Sequence, residues 1–567
     1  MLIAEPAETG LTQRAVDTSH NTSGFASRRK LIRTSTGIEP YSGEWNEITA
    51  AHLLRRTLFG PTRSEILSAA AASLDTVLSQ ILTSPPAPLI PPDPNVPGRD
   101  WTVLPFSEIS QINYQYDAAL KQWWMGLMVT QEISIVEKMT LFWHNHFASQ
   151  AEIVRDARYL YKQNALFRRY ALGNVRDLVK EVTLDPAMLV YLNGYLNKIP
   201  TPDENYAREL QELFTIGKGP QVGEGDYTNY TEDDVKAAAR VLTGWTTRQS
   251  TIPPSASFIQ KNHDKGRKQF SSAYQNTVIE PTLNTDGTMD GLKEVSDLIE
   301  MIFRQPETAK CFCRKLYRWF VYYDIDENVE QNVITPLADI MQQNNFELKP
   351  VLNTLFRSAH FFDMNNVGCV IKNPVELVAG IIRQTAFPLP DPSADEFMQM
   401  MNSLEGICWE LQMDILDPPN VAGWPAYHQV PDFHEIWINT TTLPTRGRFT
   451  DSVLNGIRPQ GNSTSYKLDP VAYAATLSNP GDPFKLVDDI ATDLLPPIQN
   501  GAAITADQKD YLIYSVMGLV KSDEYEWTAA WNNARQNPPD DNALKIVTNK
   551  LKTLLKFVMR MPEFQLT

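Results

Sequence analysis

Apolar positions recur about every 3.6 residues through most of the chain after Trp45, and this period predicts a mainly α-helical protein. Breakers and caps mark the helix ends: Gly60-Pro61 stops the first pattern, and Gly217 follows the pattern that ends at Ile216. The predicted helices cover residues 50–59, 113–128, 133–143, 155–171, 175–184, 204–216, 233–242, 290–303, 307–322, 348–360, 375–384, 471–477, 484–495, 509–519 and 543–558.

The helical period is lost between residues 253 and 270. Residues 257–261 and 268–270 flank the turn sequence Asp264-Lys265-Gly266, and this arrangement predicts a β-hairpin. The expected fold class is therefore mainly α and multi-helical, with two or three packed lobes and one small β-hairpin.

The 567 residues exceed the length at which a single hydrophobic core usually stops growing, so several regions are expected. Residues 1–43 are polar and without sustained periodicity, which predicts a flexible N-terminal arm. Residues 44–460 are predicted to form the main helical domain, and residues 461–567 a C-terminal helical subdomain. A proline-rich stretch at 84–97 predicts an extended loop within the main domain.

The charge balance narrows the range of partners. A formal net charge of -16 and a pI of about 5.1 give a surface that repels a polyphosphate backbone, which argues against nucleic acid as a partner. No apolar run approaches the ~20 residues that a membrane span requires. We therefore expect a globular protein with neither a nucleic-acid partner nor a membrane span.

Two short features are interpreted as carrying no chemistry. Residues 27–33 resemble a twin-arginine export signal, but residues 34–40 are polar where such a signal has its apolar core, so no complete signal peptide is visible. The cysteines are too few and too unevenly spaced for a disulfide framework and are interpreted as buried thiols. They are Cys311, Cys313, Cys369 and Cys408.

The strongest candidate for chemistry is Trp143-His144-Asn145-His146-Phe147, which holds two of the chain's eight histidines. Neutral imidazole is a common metal ligand and titrates near neutral pH, so the pair suits metal binding or acid/base work. On an unbroken helix the two rings diverge by roughly 200°, so a shared site requires the helix to end near Trp143. The alternative is a pair of structural histidines.

A second candidate is His263-Asp264, which lies in the predicted hairpin. If the hairpin folds over the helix end, it completes a cluster of three histidines and one aspartate, with His144, His146 and His263 as ligands of a divalent metal ion, the candidate cofactor. The alternative is an Asx turn, because Asp before Lys-Gly stabilises a tight bend by itself.

Glu209 is the remaining candidate carboxylate, as a proton acceptor or oxygen ligand beside the histidines. It lies in a segment where Glu204, Arg208 and Glu212 are spaced for a surface ion-pair ladder, which is the competing interpretation. The segment Asp417-Pro-Pro-Asn-Val-Ala-Gly-Trp-Pro425 predicts a rigid loop that either braces two parts of the fold or lines a pocket. The sequence contains no P-loop, dinucleotide-binding glycine fingerprint, Gly-x-Ser-x-Gly elbow or His-Glu-x-x-His motif.

Taken together, these motifs resemble the bacterial domain-of-unknown-function 1800 family, over a span from about Trp45 to the C-terminus. The matching segments are residues 51–61, 142–147, 205–217, 230–235, 242–245, 263–266 and 418–424. The resemblance gives more weight to His144, His146 and His263. It also implies an envelope or extracellular location and a sulfatase-like protein as a partner. The chain departs from many relatives in having Phe214 where they carry histidine.

Two functions follow as expectations. The first is a metal-dependent or acid/base enzyme that uses His144, His146, His263, Asp264 and Glu209 on an envelope or extracellular substrate. The second is a non-catalytic helical scaffold that binds a protein partner and has its histidines hydrogen-bonded in the core.

Overall fold

The computed structural model describes residues 37–427, 429, 433–497, 502–536 and 538–567. The predicted arm lies outside the described residues up to residue 36, as does the segment that resembles a twin-arginine signal. The described residues form one compact unit, and the division at residue 460 stays a prediction, since such a unit can hold more than one folding domain.

The fold is mainly α-helical, as predicted. The first half of the described chain contains α1 (Glu47–Thr57), α2 (Arg63–Ala71), α3 (Leu74–Ile81), α4 (Ser110–Thr130), α5 (Val136–His146), α6 (Ala151–Val154), α7 (Ala157–Arg169), α8 (Val175–Thr183), α9 (Pro186–Tyr191), α10 (Asn205–Glu209), α11 (Glu232–Val241) and α12 (Gly291–Phe303). The second half contains α13 (Pro306–Phe320), α14 (Glu327–Val329), α15 (Thr335–Gln343), α16 (Leu348–Arg357), α17 (Pro374–Gln384), α18 (Asp395–Glu410), α19 (Thr442–Asn455), α20 (Pro470–Ala474), α21 (Pro483–Leu494), α22 (Ala506–Asp510), α23 (Tyr525–Ala534) and α24 (Asp541–Val558).

Local signals explain several of these helix boundaries. At the start of α11 the Thr231 side chain accepts a hydrogen bond from the Asp234 backbone N–H while the Asp234 side chain accepts one from the Thr231 backbone N–H, which is a capping box. The pattern predicted at 204–216 is α-helical only through Glu209 and continues as a π-helical turn, Leu210–Phe214, before Gly217 adopts a positive φ of 76°.

The strand pairing differs from the prediction. The strands are β1 (Gln221–Gly223), β2 (Asp226–Tyr227), β3 (Trp245–Thr247), β4 (Ala256–Phe258), β5 (Lys268–Gln269) and β6 (Val278–Ile279). They pair antiparallel as β1 with β2, β3 with β4, and β5 with β6. The predicted hairpin is therefore wrong in its pairing, because its first segment bonds to the preceding strand β3 and its second segment to the following strand β6. Asp264-Lys-Gly266 forms an Asx turn, in which the Gly266 N–H donates to the Asp264 carboxylate at 2.8 Å.

Three candidate site residues lie on helices, His144 and His146 on α5 and Glu209 on α10, whereas His263 and Asp264 lie between β4 and β5. The long helix α4 packs against α17 and α18, and α5 packs against α7. Every residue of α5 is buried, which is why its sequence is apolar on more than one face. None of the helices in the described part of the chain combines the length and the apolar character that a membrane crossing requires.

Candidate functional site

His144 lies near the end of α5 in an aromatic pocket. Its ring centroid lies 5.5 Å from that of Trp124 and 5.7 Å from that of Trp424, both with edge-on geometry. Its Nε2 has no hydrogen-bond partner, and the residue is only 2% exposed. Burial, with a smaller contribution from the Lys121 charge, lowers the pKa of His144 to about 3. The imidazole is therefore neutral, and its Nε2 edge is packed without a polar partner.

His146 is held by two polar groups. Its Nε2–H donates to the Phe214 carbonyl at 2.9 Å, and its Nδ1 accepts from the Lys315 ammonium at 3.1 Å. Burial first, and the Lys315 charge second, hold the pKa of His146 well below its usual range. Both ring nitrogens are thus occupied by this protein's own groups.

His263 belongs to a separate buried network. Its Nδ1–H donates to the Thr243 carbonyl at 2.8 Å, and its Nε2 lies 3.3 Å from a Glu294 carboxylate oxygen. The other Glu294 oxygen accepts from Lys268 at 2.5 Å, and His263, Glu294 and Lys268 are all fully buried. Burial alone raises the pKa of Glu294, but hydrogen bonds from His263 and Lys268 outweigh it and lower that pKa. The network ties β5 and its preceding turn to α12.

Asp264 points away from this network. Its carboxylate receives two hydrogen bonds from Arg240, at 2.7 and 3.2 Å, and these bonds lower the pKa of Asp264 against the effect of burial. With its Asx turn, this ion pair gives Asp264 a structural role that accounts for both of its carboxylate oxygens.

Glu209 is half-buried, and burial together with the nearby Glu212 charge raises its pKa to about 7. The predicted ladder beside it forms only in part. Arg208 pairs with Glu204 at 3.2 Å but contacts Glu232 more closely, at 2.5 Å. Glu212 pairs with Lys218 instead.

The structure does not bring the candidate residues to one point. The α5 helix continues through His146, so His144 and His146 face different surroundings, and His263 has its own partners on α12. Across residues 37–567, in the parts that the structure describes, no group of three or more His, Cys, Asp or Glu side chains is arranged to hold a metal ion.

Asn145, between the two histidines, contacts the predicted rigid loop Asp417–Pro425. Its side-chain oxygen accepts the Trp424 backbone N–H at 2.9 Å. Gly423 has a φ of +86°, and a Cβ there would lie 2.4 Å from the Asn145 carbonyl, so glycine is required. Gln150 donates to the Pro418 carbonyl at 2.8 Å. The loop thus braces the end of α5, which is the structural alternative given for it above.

A large concave site lies elsewhere and is called the main cavity here. It has a volume of about 1070 Å³ and lies between α4, α5, α7, α8, α12 and the strands β3 and β4. Its apolar walls include Pro85, Pro86, Trp123, Leu127, Tyr161 and Trp245. The proline-rich segment forms one edge, where Trp123 Nε1–H donates to the Leu89 carbonyl at 2.9 Å. A cavity of this size with apolar walls is typical of a ligand-binding site.

Charged residues of both signs line the main cavity. Arg168 holds Glu137 through two hydrogen bonds, at 2.7 and 2.9 Å, and its guanidinium lies 5.0 Å from the centre of the Trp123 ring. Lys180 and Arg169 add positive charge near the opening, where Arg169 pairs with Glu181. Neither sign dominates the lining.

Three polar residues of the main cavity have unpaired atoms. Trp245 Nε1, Asp185 Oδ1 and both amide atoms of Gln131 are buried without a hydrogen-bond partner. The other Asp185 oxygen accepts from Gln163 at 3.0 Å and from the Met188 N–H at 3.1 Å. Burial raises the pKa of Asp185 to about 7 despite these bonds. A buried polar atom without a partner is rare enough in native proteins to require an explanation.

The main cavity was not predicted from the sequence. Trp123, Trp245 and Tyr161 appear there as ordinary apolar positions, and Asp185 before Pro186 indicates only a helix cap, which it also is. The elements that surround the cavity are far apart in the chain, so only the tertiary structure brings their side chains together.

Comparison with known proteins identifies the family but no function. A family model described as "Protein of unknown function (DUF1800)" matches residues 52–566, nearly the whole chain. No curated protein and no solved structure matches the chain. The matched span contains all five candidate residues and the whole main cavity, and it bears out the resemblance drawn from the motifs. The chain belongs to the DUF1800 family of proteins of unknown function.

Proposed function

We propose that this protein is a non-catalytic binding protein and that its main cavity receives an extended peptide segment of a protein partner. The observation that carries the proposal is the main cavity itself, about 1070 Å³ in volume, with aromatic and proline walls and three polar residues whose buried atoms lack partners. Each such atom costs roughly 1–3 kcal/mol while it stays unpaired. A ligand that supplies the missing partners recovers part of that cost.

The chemistry of the unpaired atoms favours a peptide. Trp245 Nε1–H can only donate, the Asp185 oxygen can accept, and the Gln131 amide can do both. A peptide backbone carries one donor and one acceptor at nearly every residue, so an extended segment can satisfy all three positions. Trp123 and Tyr161 provide flat surfaces for its apolar side chains.

The mixed charges at the main cavity support the same class of ligand. Nucleic acid would require a predominantly positive lining, whereas this one combines Arg168 and Lys180 with Glu137 and Glu181. The sulfatase-like protein and the envelope or extracellular location implied by the family resemblance provide a candidate source for the peptide.

Peptide selection tests the proposal. The purified chain is used to select binders from a displayed random peptide library, and affinities are measured by fluorescence anisotropy. Ala165, half-buried on α7 in the cavity wall, is changed to Trp to fill the space. Ala529, exposed on α23 outside the cavity, receives the same change as a control. We expect Ala165→Trp to weaken binding at least about tenfold, because it occupies the volume that the peptide needs.

A second variant isolates one hydrogen bond. Trp245→Phe keeps the aromatic wall and removes the N–H, so binding should weaken by roughly two- to tenfold, the value of one hydrogen bond. Binding that is equal in the wild type, Ala165→Trp and Ala529→Trp would contradict the proposal. So would a library that yields no binder.

An acid/base enzyme is the second candidate, and one observation favours it. Asp185 is a buried carboxyl in a large cavity with its pKa raised to about 7, which is typical of a general acid. A screen of hydrolysable substrates tests this function. Any activity found should depend on pH with an inflection near 7 and should be lost in Asp185→Asn.

The enzyme based on His144, His146 and His263 has weaker support, since their recorded hydrogen bonds lead to different parts of the fold. Elemental analysis of the purified wild type and His144→Ala tests its tightly bound metal form. Equal and negligible metal in both proteins would rule that form out.

A further inference from the structure

A second, much smaller cavity lies where α1, α13 and the start of α17 meet the turns Pro425–Tyr427 and Phe433–Trp437. Its volume is about 20 Å³, enough for one water-sized species. We call it the donor cavity, and its polar lining residues include Arg56, Trp319, Asn373, Glu376, Tyr427 and His434. It shares no lining residue with the main cavity.

Three buried groups of this small cavity have no hydrogen-bond partner. They are Arg56 Nε, Trp319 Nε1 and His434 Nε2. Arg56, Trp319 and His434 are 3%, 9% and 8% exposed. The Tyr427 hydroxyl is a fourth buried polar group of this cavity; its oxygen is bonded by the Asn373 side chain, and the Tyr427 ring lies 4.4 Å from the Trp319 ring. Three unpaired polar groups on one cavity cannot be explained as scattered defects of packing.

All four groups are donors. Arg56 Nε and Trp319 Nε1 each carry a hydrogen and cannot accept. The His434 Nδ1 accepts the Ile371 N–H at 3.0 Å, so the neutral ring carries its hydrogen on Nε2. Burial raises the pKa of the Tyr427 hydroxyl well above its usual range, so this group keeps its proton. The donor cavity therefore offers N–H and O–H groups from four separate side chains.

The surrounding charges add a net positive potential. Arg56 and Arg318 line the donor cavity, and Glu376, the one carboxylate among its described lining residues, is paired with Lys138. Asn373 is the N-cap of α17, so the positive end of that eleven-residue helix dipole lies at the same place. Among the described residues named here, the charges of Arg56, Arg318 and Lys138 and the N-terminus of α17 therefore outweigh the charge of Glu376.

A water molecule satisfies this arrangement poorly. It accepts only two hydrogen bonds, so it leaves at least two of the four donors unpaired. A monovalent anion accepts from every donor and carries the charge that the surroundings favour. We infer that the donor cavity binds one small monovalent anion of halide size and that the anion joins α1, α13 and α17 to the turn that carries His434.

Bromide diffraction and a chloride titration together test this inference. Crystals of the full chain soaked in sodium bromide should give an anomalous difference peak within hydrogen-bond distance of Trp319 Nε1 and His434 Nε2. In solution, the melting temperature should rise with chloride and saturate, relative to gluconate at equal ionic strength. The expected rise is about 2 °C at a chloride concentration a hundredfold above its dissociation constant.

Variants link that rise to the donors. His434→Phe and Trp319→Phe each remove one donor and should abolish the saturable rise. Trp409→Phe, which changes a 62% exposed tryptophan on α18, should keep it. If one donor variant fails to fold, the other variant and the wild-type crystals still decide the question.

The proposal requires both results. A wild-type crystal without a bromide peak in the donor cavity, or a melting temperature that responds to chloride equally in all variants, would overturn it and leave water as the only occupant.

Discussion

His146 provides a sharp test of whether the histidines of α5 are structural. Replacing it with phenylalanine keeps an aromatic ring among Phe142, Phe147 and Phe312 but removes both ring nitrogens. The Phe214 carbonyl then loses its donor at 2.9 Å. Lys315 loses its acceptor at 3.1 Å and keeps only the Leu213 carbonyl. We therefore expect two buried groups with unmet hydrogen bonds.

The expected cost follows from those two groups. Each unsatisfied buried polar group costs about 1–3 kcal/mol, so His146→Phe should lower the free energy of unfolding by roughly 2–4 kcal/mol. The matched control is His144→Phe on the same helix. Because His144 Nε2 has no partner, a phenyl ring there replaces an unpaired buried nitrogen, and stability should stay within about 1 kcal/mol of the wild type or rise slightly.

Equilibrium urea unfolding, followed by tryptophan fluorescence, measures both variants against the wild type. A large loss in His146→Phe with little change in His144→Phe supports the structural assignment. The reasoning is refuted if His146→Phe is as stable as the wild type, because residues evolved for function often cost little stability when removed. It is refuted equally if the two variants lose the same amount.

Three further predictions concern stability. Burial lowers the pKa of His144 to about 3, so below pH 6.5 the folded state binds fewer protons than the unfolded chain. Between pH 6.5 and pH 5 the free energy of unfolding of the wild type should therefore fall by about 2 kcal/mol relative to that of His144→Phe. A difference in urea midpoint between the two proteins that does not change with pH would contradict this. Glu294→Gln should cost about 3 kcal/mol because it leaves the fully buried Lys268 without an anionic partner, whereas Glu280→Gln in an exposed pair should change the urea midpoint little. Gly423→Ala should cost roughly 2 kcal/mol or more through its positive φ and its contact with Asn145, and a calorimetric melting temperature equal to the wild type would show that the loop does not brace α5.

Most of the helices could be predicted because their signals are local. α8 (Val175–Thr183) follows the predicted 175–184 closely, and α17 starts at Pro374 directly after its Asn373 cap, as a helical pattern with a proline at its first turn indicates. α18 was not among the predicted helices, although its buried positions 397, 400, 401, 404 and 408 follow the helical period. Its methionines, serine and Gly406 make that period less evident in the sequence.

The sheet pairing could not be predicted from the same signals. Strands of two or three residues carry too little periodicity to identify their partners, and the choice depends on tertiary contacts. The turn at Asp264 was recognised correctly as a candidate Asx turn, because its cause lies within three residues.

The candidate site shows the same limit. A rare local pattern of histidines indicates that these residues matter but not what they do. A buried histidine bonded to Phe214 and Lys315 and a histidine that binds a metal ion cannot be told apart in the sequence. The main cavity depends on Trp123, Asp185 and Trp245, which only the packing of distant elements brings together.

Photo-crosslinking tests the central claim most directly. A peptide selected on the wild-type chain and carrying a benzophenone group is irradiated in the complex, and the crosslinked residues are identified by mass spectrometry. The account predicts crosslinks to residues that line the main cavity, such as Tyr161, Leu127 and Leu292, and their loss in Ala165→Trp. Crosslinks that fall elsewhere on the chain, unchanged in that variant, would contradict it.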